Sequence, residues 1–128
     1  MRERMEKQLK EINELILKMS VLVEDNIELS IRTLTSRELE LADVVIKNDL
    51  KINEYEEKIE DMCIQFIATQ NPVGSDLRRI FSILKIITDL ERIGDHAENI
   101  ARITKKIGHE KLIKPLVDIP KMTILCRE

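Results

Sequence analysis

The sequence predicts an all-α fold, an antiparallel three-helix bundle with a short C-terminal extension, and three observations carry that expectation. Apolar residues recur at alternating spacings of three and four along three long segments, the spacing that turns one helix face toward a core. Three glycines and three prolines in 128 residues leave few places where the chain can turn. Charged residues make up 35% and aromatics 2%, with Ile and Leu dominating the apolar set; long helices with solvated outer faces fit that balance, and a sheet does not. The length corresponds to one domain with one modest core.

The first helix, of roughly thirty residues, has the seam Met5, Leu9, Ile12, Ile16, Met19 and Val23, widened by Leu15, Leu22 and Leu29. Its seam turns polar at Asn26 and Ser30. The pattern breaks around Leu34-Thr35-Ser36, where Ser36 is the expected N-cap of the next helix, with Glu38 and Glu40 in the first turn where the dipole favours acids.

The second helix continues to about Gln70 with the seam Ala42, Val45, Asp49, Ile52, Glu56, Ile59, Cys63 and Phe66. Asp49 and Glu56 stand where the pattern calls for aliphatics, and Asn53 lies one turn from Asp49. Two readings fit: ion pairs with Arg or Lys of a neighbouring helix, or ligands of a cation.

Asn71-Pro72-Val73-Gly74-Ser75 interrupts the pattern, since Pro72 prevents continuation and Gly74 eases the turn. Ser75 is the expected cap of a third helix that begins with Asp76 in its first turn and ends near Ile107 and Gly108. One stripe of this helix is apolar throughout, with Ile83, Ile86, Leu90, Ile93, Ala97, Ile100 and Ile107. Gly94 costs about 1 kcal/mol of helix propensity relative to Ala, which the close approach of a neighbouring helix or a ligand cluster would explain.

A second stripe of the third helix starts apolar at Leu77, Ile80 and Leu84 and turns acidic at Glu91, Asp95 and Glu98, with Thr88 and Asn99 at its edge. Carboxylates four apart are commonly a solvated face, and Lys85, Arg92 or Arg102 offer partners for ion pairs. Carboxylates that face a core need compensation, and a bound cation would supply it. His96 points away from the acidic stripe by about 140° and reads as a surface or packing residue.

Counting about the Asn71–Ser75 turn joins the two anomalies. In an antiparallel hairpin, residues whose numbers sum to about 146 lie side by side, so Asp49, Asn53, Glu56, Glu91 and Asp95 share one level. The same count about Thr35 brings Asn26 and Ser30 to the level of Ala42 to Asp49. The candidate metal ligands are therefore Asp49, Asn53, Glu56, Glu91 and Asp95, with Glu98 and Asn99 as additional candidates. Oxygen ligands without cysteine or a placed histidine suit Mg²⁺, Mn²⁺ or iron better than zinc.

Other classes are disfavoured. The net charge of -3 and the scatter of Lys105, Lys106 and Lys111 argue against nucleic-acid binding. No segment has the apolar length of a bilayer span or the hydrophobic run of a secretory signal, so a cytoplasmic protein is expected, one that reaches a membrane only peripherally through partners. Cys63 and Cys126 form no CxxC pair and read as thiols of a reducing compartment. Neither histidine has a Glu three residues before it, as di-iron bundles require, and no nucleophile lies beside a base. A non-enzyme is expected. A helical interaction module without metal remains the alternative.

Val45-Ile46-Lys47-Asn48-Asp49 with Ile52-Asn53 and Glu56, Gln70-Asn71-Pro72 with Asp76-Leu77-Arg78, and Asp89-Leu90-Glu91-Arg92-Ile93-Gly94-Asp95-His96-Ala97 resemble the PhoU family of phosphate-signalling proteins. Glu91 and Asp95 match that family's metal motif, an acid followed four residues later by Asp. The resemblance implies two three-helix repeats in most members, with multinuclear metal clusters on such motifs. Residues 1–110 correspond to one repeat, and 111–128 to a linker and the start of an incomplete second repeat, with Lys114 to Met122 similar to its beginning. It further implies regulation of phosphate uptake and of the phosphate-starvation response, as an adaptor between a phosphate-specific ABC transporter and a sensor histidine kinase. A homodimer would supply the missing half.

Overall fold

A computed structural model describes residues 2–108, so the segment 111–128 expected to open a second repeat lies outside the described residues, as does Cys126. Three helices follow one another, α1 (Arg2–Ser36), α2 (Leu39–Gln70) and α3 (Ser75–Ile107), and each packs against the other two. The described residues contain no strand, and none of their helices is long and apolar enough to cross a membrane.

The seams of α1 and α2 fall where the spacing puts them. In α1, Leu9, Ile12, Met19 and Val23 are buried, followed by Asn26 and Ser30; in α2 the buried set is Ala42, Val45, Asp49, Ile52, Ile59, Cys63 and Phe66. The core has two parts. Ile12, Met19, Ile52, Ile59, Phe66, Ile80 and Ile87 fill the larger one, which lies toward the α2–α3 turn. Ala42, Val45, Ala97 and Ala101 make a smaller one toward the α1–α2 turn, where small side chains let the helices approach closely. Each fully buried aliphatic contributes about 1.5–3 kcal/mol relative to exposure, so the larger part supplies most of the stability.

α3 buries residues from both of its apolar stripes. Its buried line is Ile80, Ile83, Ile87, Gly94, Ala97, Ala101 and Thr104, whereas Ile86 and Ile93 remain 46% and 41% exposed. Glycine and alanine face α2 because the close approach there admits nothing larger, and this turns the isoleucine row outward.

Both expected serine caps are corrected. Ser36 is the last residue of α1 and its hydroxyl donates back to the Arg32 carbonyl; the chain reverses one residue later, at Arg37 with φ 58°, and Glu38 stands at the cap position without a capping side chain. Ser75 lies inside α3, preceded by Gly74 at φ 60°, whose carbonyl accepts from the Arg78 amide. α2 ends at Asn71 in the left-handed region, its amide donating to the Ile67 carbonyl at 3.2 Å, and Pro72 follows. Gly108 does end α3, yet in right-handed conformation. A Cβ there would stand 2.7 Å from a Leu39 methyl, the movable end of a side chain at the start of α2.

Candidate metal centre

The candidate site forms where the two parts of the core meet. Asp49 sits one turn from Val45 on one side and from Ile52 on the other, and is 3% exposed. Gly94 gives it room: a Cβ on residue 94 would be 3.3 Å from Asp49 Oδ1 and 3.4 Å from two carbons of Ile52. The glycine inside α3 is thus explained by the approach of α2 at the carboxylate.

Carboxylates of two helices converge there. Oxygens of Asp49, Asp95 and Glu98 all lie within 4.8 Å of one another. Two turns further along α2, Glu56 faces Glu91, and Asn53 lies on the same side between Asp49 and Glu56. Glu91, Asp95 and Glu98 are all half-buried. Glu98, an additional candidate by sequence, belongs to the tightest group; its position three residues beyond Asp95 and seven beyond Glu91 on a helix is the signal that marks it. Asn99 is exposed and outside this group, and His96 is exposed.

The electrostatics are those of a site with too little positive charge. Burial, then a hydrogen bond to Glu98 and the charges of Glu98, Asp95 and Glu91, push the Asp49 carboxyl up from 3.8 to about 7. Burial also raises Glu56, helped by the charges of Glu91 and Glu60. Burial and Asp95 raise Glu91, opposed by a hydrogen bond from Glu56 and by Arg92. Glu98 moves the other way, because a protonated Asp49 donates to it and Arg102 pairs with it at 2.6 Å.

Three oxygens on the α2 side of this cluster, Asp49 Oδ1, Asn53 Oδ1 and Glu56 Oε2, are buried and receive no hydrogen bond among the described residues. A buried acceptor left without a donor costs about 1–3 kcal/mol, so this trio is expensive as it stands. Arg102 is the sole ion-pair partner of the cluster among the described residues. The donor set is all oxygen and anionic, which fits a hard divalent or trivalent cation.

A polar layer supports the site from α1. The fully buried Asn26 donates from Nδ2 to the Val45 carbonyl at 3.0 Å and accepts at Oδ1 from Asn48 at 3.2 Å, so α1 is tied to the turn of α2 that precedes Asp49.

Comparison with known proteins fits this geometry. Residues 16–104 match the family model described as PhoU domain. The chain is 42% identical over 122 residues to the phosphate-specific transport system accessory protein PhoU homolog of Aquifex aeolicus, covering 95% of this chain and 55% of that protein. It is 38% identical over 104 residues to the phosphate-specific transport system accessory protein PhoU of Serratia marcescens, covering 80% and 43%. The crystal structure of PhoU from Pseudomonas aeruginosa superposes with a TM-score of 0.88 at 31% identity, over 92% of this chain and 57% of that one. The chain therefore spans about half the length of these relatives. With its three helices, its acidic pair Glu91 and Asp95, and a family match over most of its length, the chain belongs to the PhoU family.

Proposed function

We propose that this chain is a regulator of phosphate uptake and phosphate-starvation signalling that works by binding and not by catalysis. It acts in the cytoplasm as an adaptor between a phosphate-specific ABC transporter and a sensor histidine kinase, and meets the membrane only through those partners. Its relatives are named as accessory proteins of the phosphate-specific transport system, which supports the transporter side of this reading.

The observation that carries the metal part is the convergence of Asp49, Asp95 and Glu98 beside three buried oxygens that lack donors. Asp49, Asp95 and Glu98 would hold a divalent or trivalent cation, with Asn53, Glu56 and Glu91 as further ligands, and Mg²⁺, Mn²⁺ or iron suits these oxygens better than zinc. A cation there supplies positive charge and fixes α2 against α3. The ion pair of Arg102 with Glu98 favours the rival reading, a metal-free interaction module, for that one carboxylate. A homodimer, in which a second copy replaces the second half of the longer relatives, completes the proposal.

Elemental analysis and calorimetry on the full chain test the metal, with Glu91→Ala plus Asp95→Ala expected to abolish binding. Binding unchanged in that double variant would refute the ligand assignment. Phosphate uptake in a strain lacking its own PhoU, with and without this chain, tests the regulatory role; no change in uptake would refute it.

A further inference from the structure

A shallow groove of about 320 Å³ lies between α1 and α3, whereas the carboxylates gather between α2 and α3. Asn13 lines it from α1; Ser75, Arg78, Arg79 and Ser82 line it from α3, over the buried Ile83. The four polar residues of α3 follow the spacing i, i+3, i+4, i+7 and so share one helix face. No carboxylate lines this groove, although the chain has 24 acidic and 21 basic residues. Asp76, the nearest acid in sequence, is engaged by the Arg2 guanidinium at 2.6 Å. Among the described residues neither Arg78 nor Arg79 has an ion-pair partner. The open groove on α2, by contrast, is lined by Glu54, Glu57 and Asp61 with one lysine.

We propose that the Arg78–Arg79 groove binds a phosphate oxyanion, taken either as free inorganic phosphate or as the headgroup of an anionic phospholipid. One guanidinium fork satisfies a planar carboxylate. A tetrahedral phosphate has more oxygens than one fork satisfies, and Arg78 and Arg79 offer two forks beside the serine hydroxyls of this groove. The site needs no cation and none of the acidic residues, so it goes beyond the function proposed above and its failure leaves that proposal standing.

The test uses the full chain stripped of metal by a chelator, so that phosphate cannot bind through an ion at the carboxylates. Inorganic phosphate is titrated at constant ionic strength, followed by calorimetry and by the NMR signals of the arginine Nε–H groups. Co-sedimentation with phosphatidylglycerol vesicles, against phosphatidylcholine vesicles, forms the second arm. Saturable binding is expected, with Arg78→Gln and Arg79→Gln each weakening it about tenfold as a charge-assisted pair is lost. Both side chains are exposed, so circular dichroism should remain that of the parent. Arginine-dependent binding of free phosphate identifies the free anion, and arginine-dependent retention on phosphatidylglycerol vesicles alone identifies the headgroup. Identical behaviour of the parent and the Arg78→Gln plus Arg79→Gln variant in both arms would overturn the proposal.

Discussion

Gly94 of α3 and Asp49 of α2 form a matched pair, in which the side chain missing from one lets the carboxylate of the other come close, with 3.3 Å from a Cβ position to Asp49 Oδ1. Gly94→Ala should leave stability nearly unchanged, because a gain of about 1 kcal/mol in helix propensity offsets crowding against Asp49 and Ile52. It should nevertheless weaken cation binding by displacing Oδ1. Gly94→Val adds branching against Ile52 and should cost about 2 kcal/mol or more. Urea denaturation paired with calorimetric Mn²⁺ titration of both variants checks the contrast.

The carboxylate cluster makes the metal-free protein pH-sensitive in a defined direction. Asp49 binds its proton more tightly folded than unfolded, with about 7 against 3.8. Its contribution is fully present below the unfolded value and is lost as pH rises through the folded one, so metal-free stability should fall between about pH 4 and 7. The raised Glu56 and Glu91 act in the same sense, whereas the lowered Glu98 contributes stability above its ordinary value that is lost on acidification. Asp49→Asn should remove the largest part of the fall and raise stability at neutral pH by about 1 kcal/mol. Thermal melts across this pH range, with chelator present, would lack this fall if the cluster were solvated.

A cation bound as proposed would invert this dependence, because it would displace the Asp49 proton. Affinity for Mn²⁺ should rise with pH up to about 7, and a concentration of 100 times Kd should stabilise the protein by about 2.7 kcal/mol. Differential scanning calorimetry with and without Mn²⁺ at several pH values measures both.

Asn26→Ala should cost about 1–2 kcal/mol, since it deletes a buried donor to Val45 and leaves Asn48 without its acceptor. Asn26→Asp should cost more, as it sets an unpaired acceptor and charge against the Val45 carbonyl. Chemical denaturation of the two variants ranks them.

Cys63 is fully buried and its thiol is pushed up to about 11, chiefly by burial, so it should resist thiol reagents at neutral pH in the native state. In a Cys126→Ser background, its labelling rate should track global unfolding and accelerate with urea.

The seams of α1 and α2 were legible because one strong aliphatic stripe satisfied the helical period in each. α3 offered two apolar stripes, and periodicity alone did not show that the line through Gly94 and Ala101 would be buried ahead of Ile86 and Ile93. Close approach decides in favour of small side chains, and that is a property of the neighbouring helix. The caps were misread for a related reason: the hydroxyls of Ser36 and Ser75 fit the composition of a cap, but the backbone reverses at Arg37 and Gly74. The level of the acidic cluster could be counted along the hairpin, because the turn at Asn71 is short. Its division into Asp49 with Asp95 and Glu98, and Glu56 with Glu91, could not, because it depends on the rotation of α3 about its own axis.

The amide of Asn26 fixes more than one contact. Bonded to a main-chain carbonyl in the second turn of another helix and to the Asn48 side chain, it indexes α1 to α2 at a single longitudinal setting; sliding either rod by a turn would break both bonds. Relative motion of the helices should therefore swing the first hairpin as a unit, pivoting against α3 across the glycine and alanine face, instead of shearing its two helices past each other.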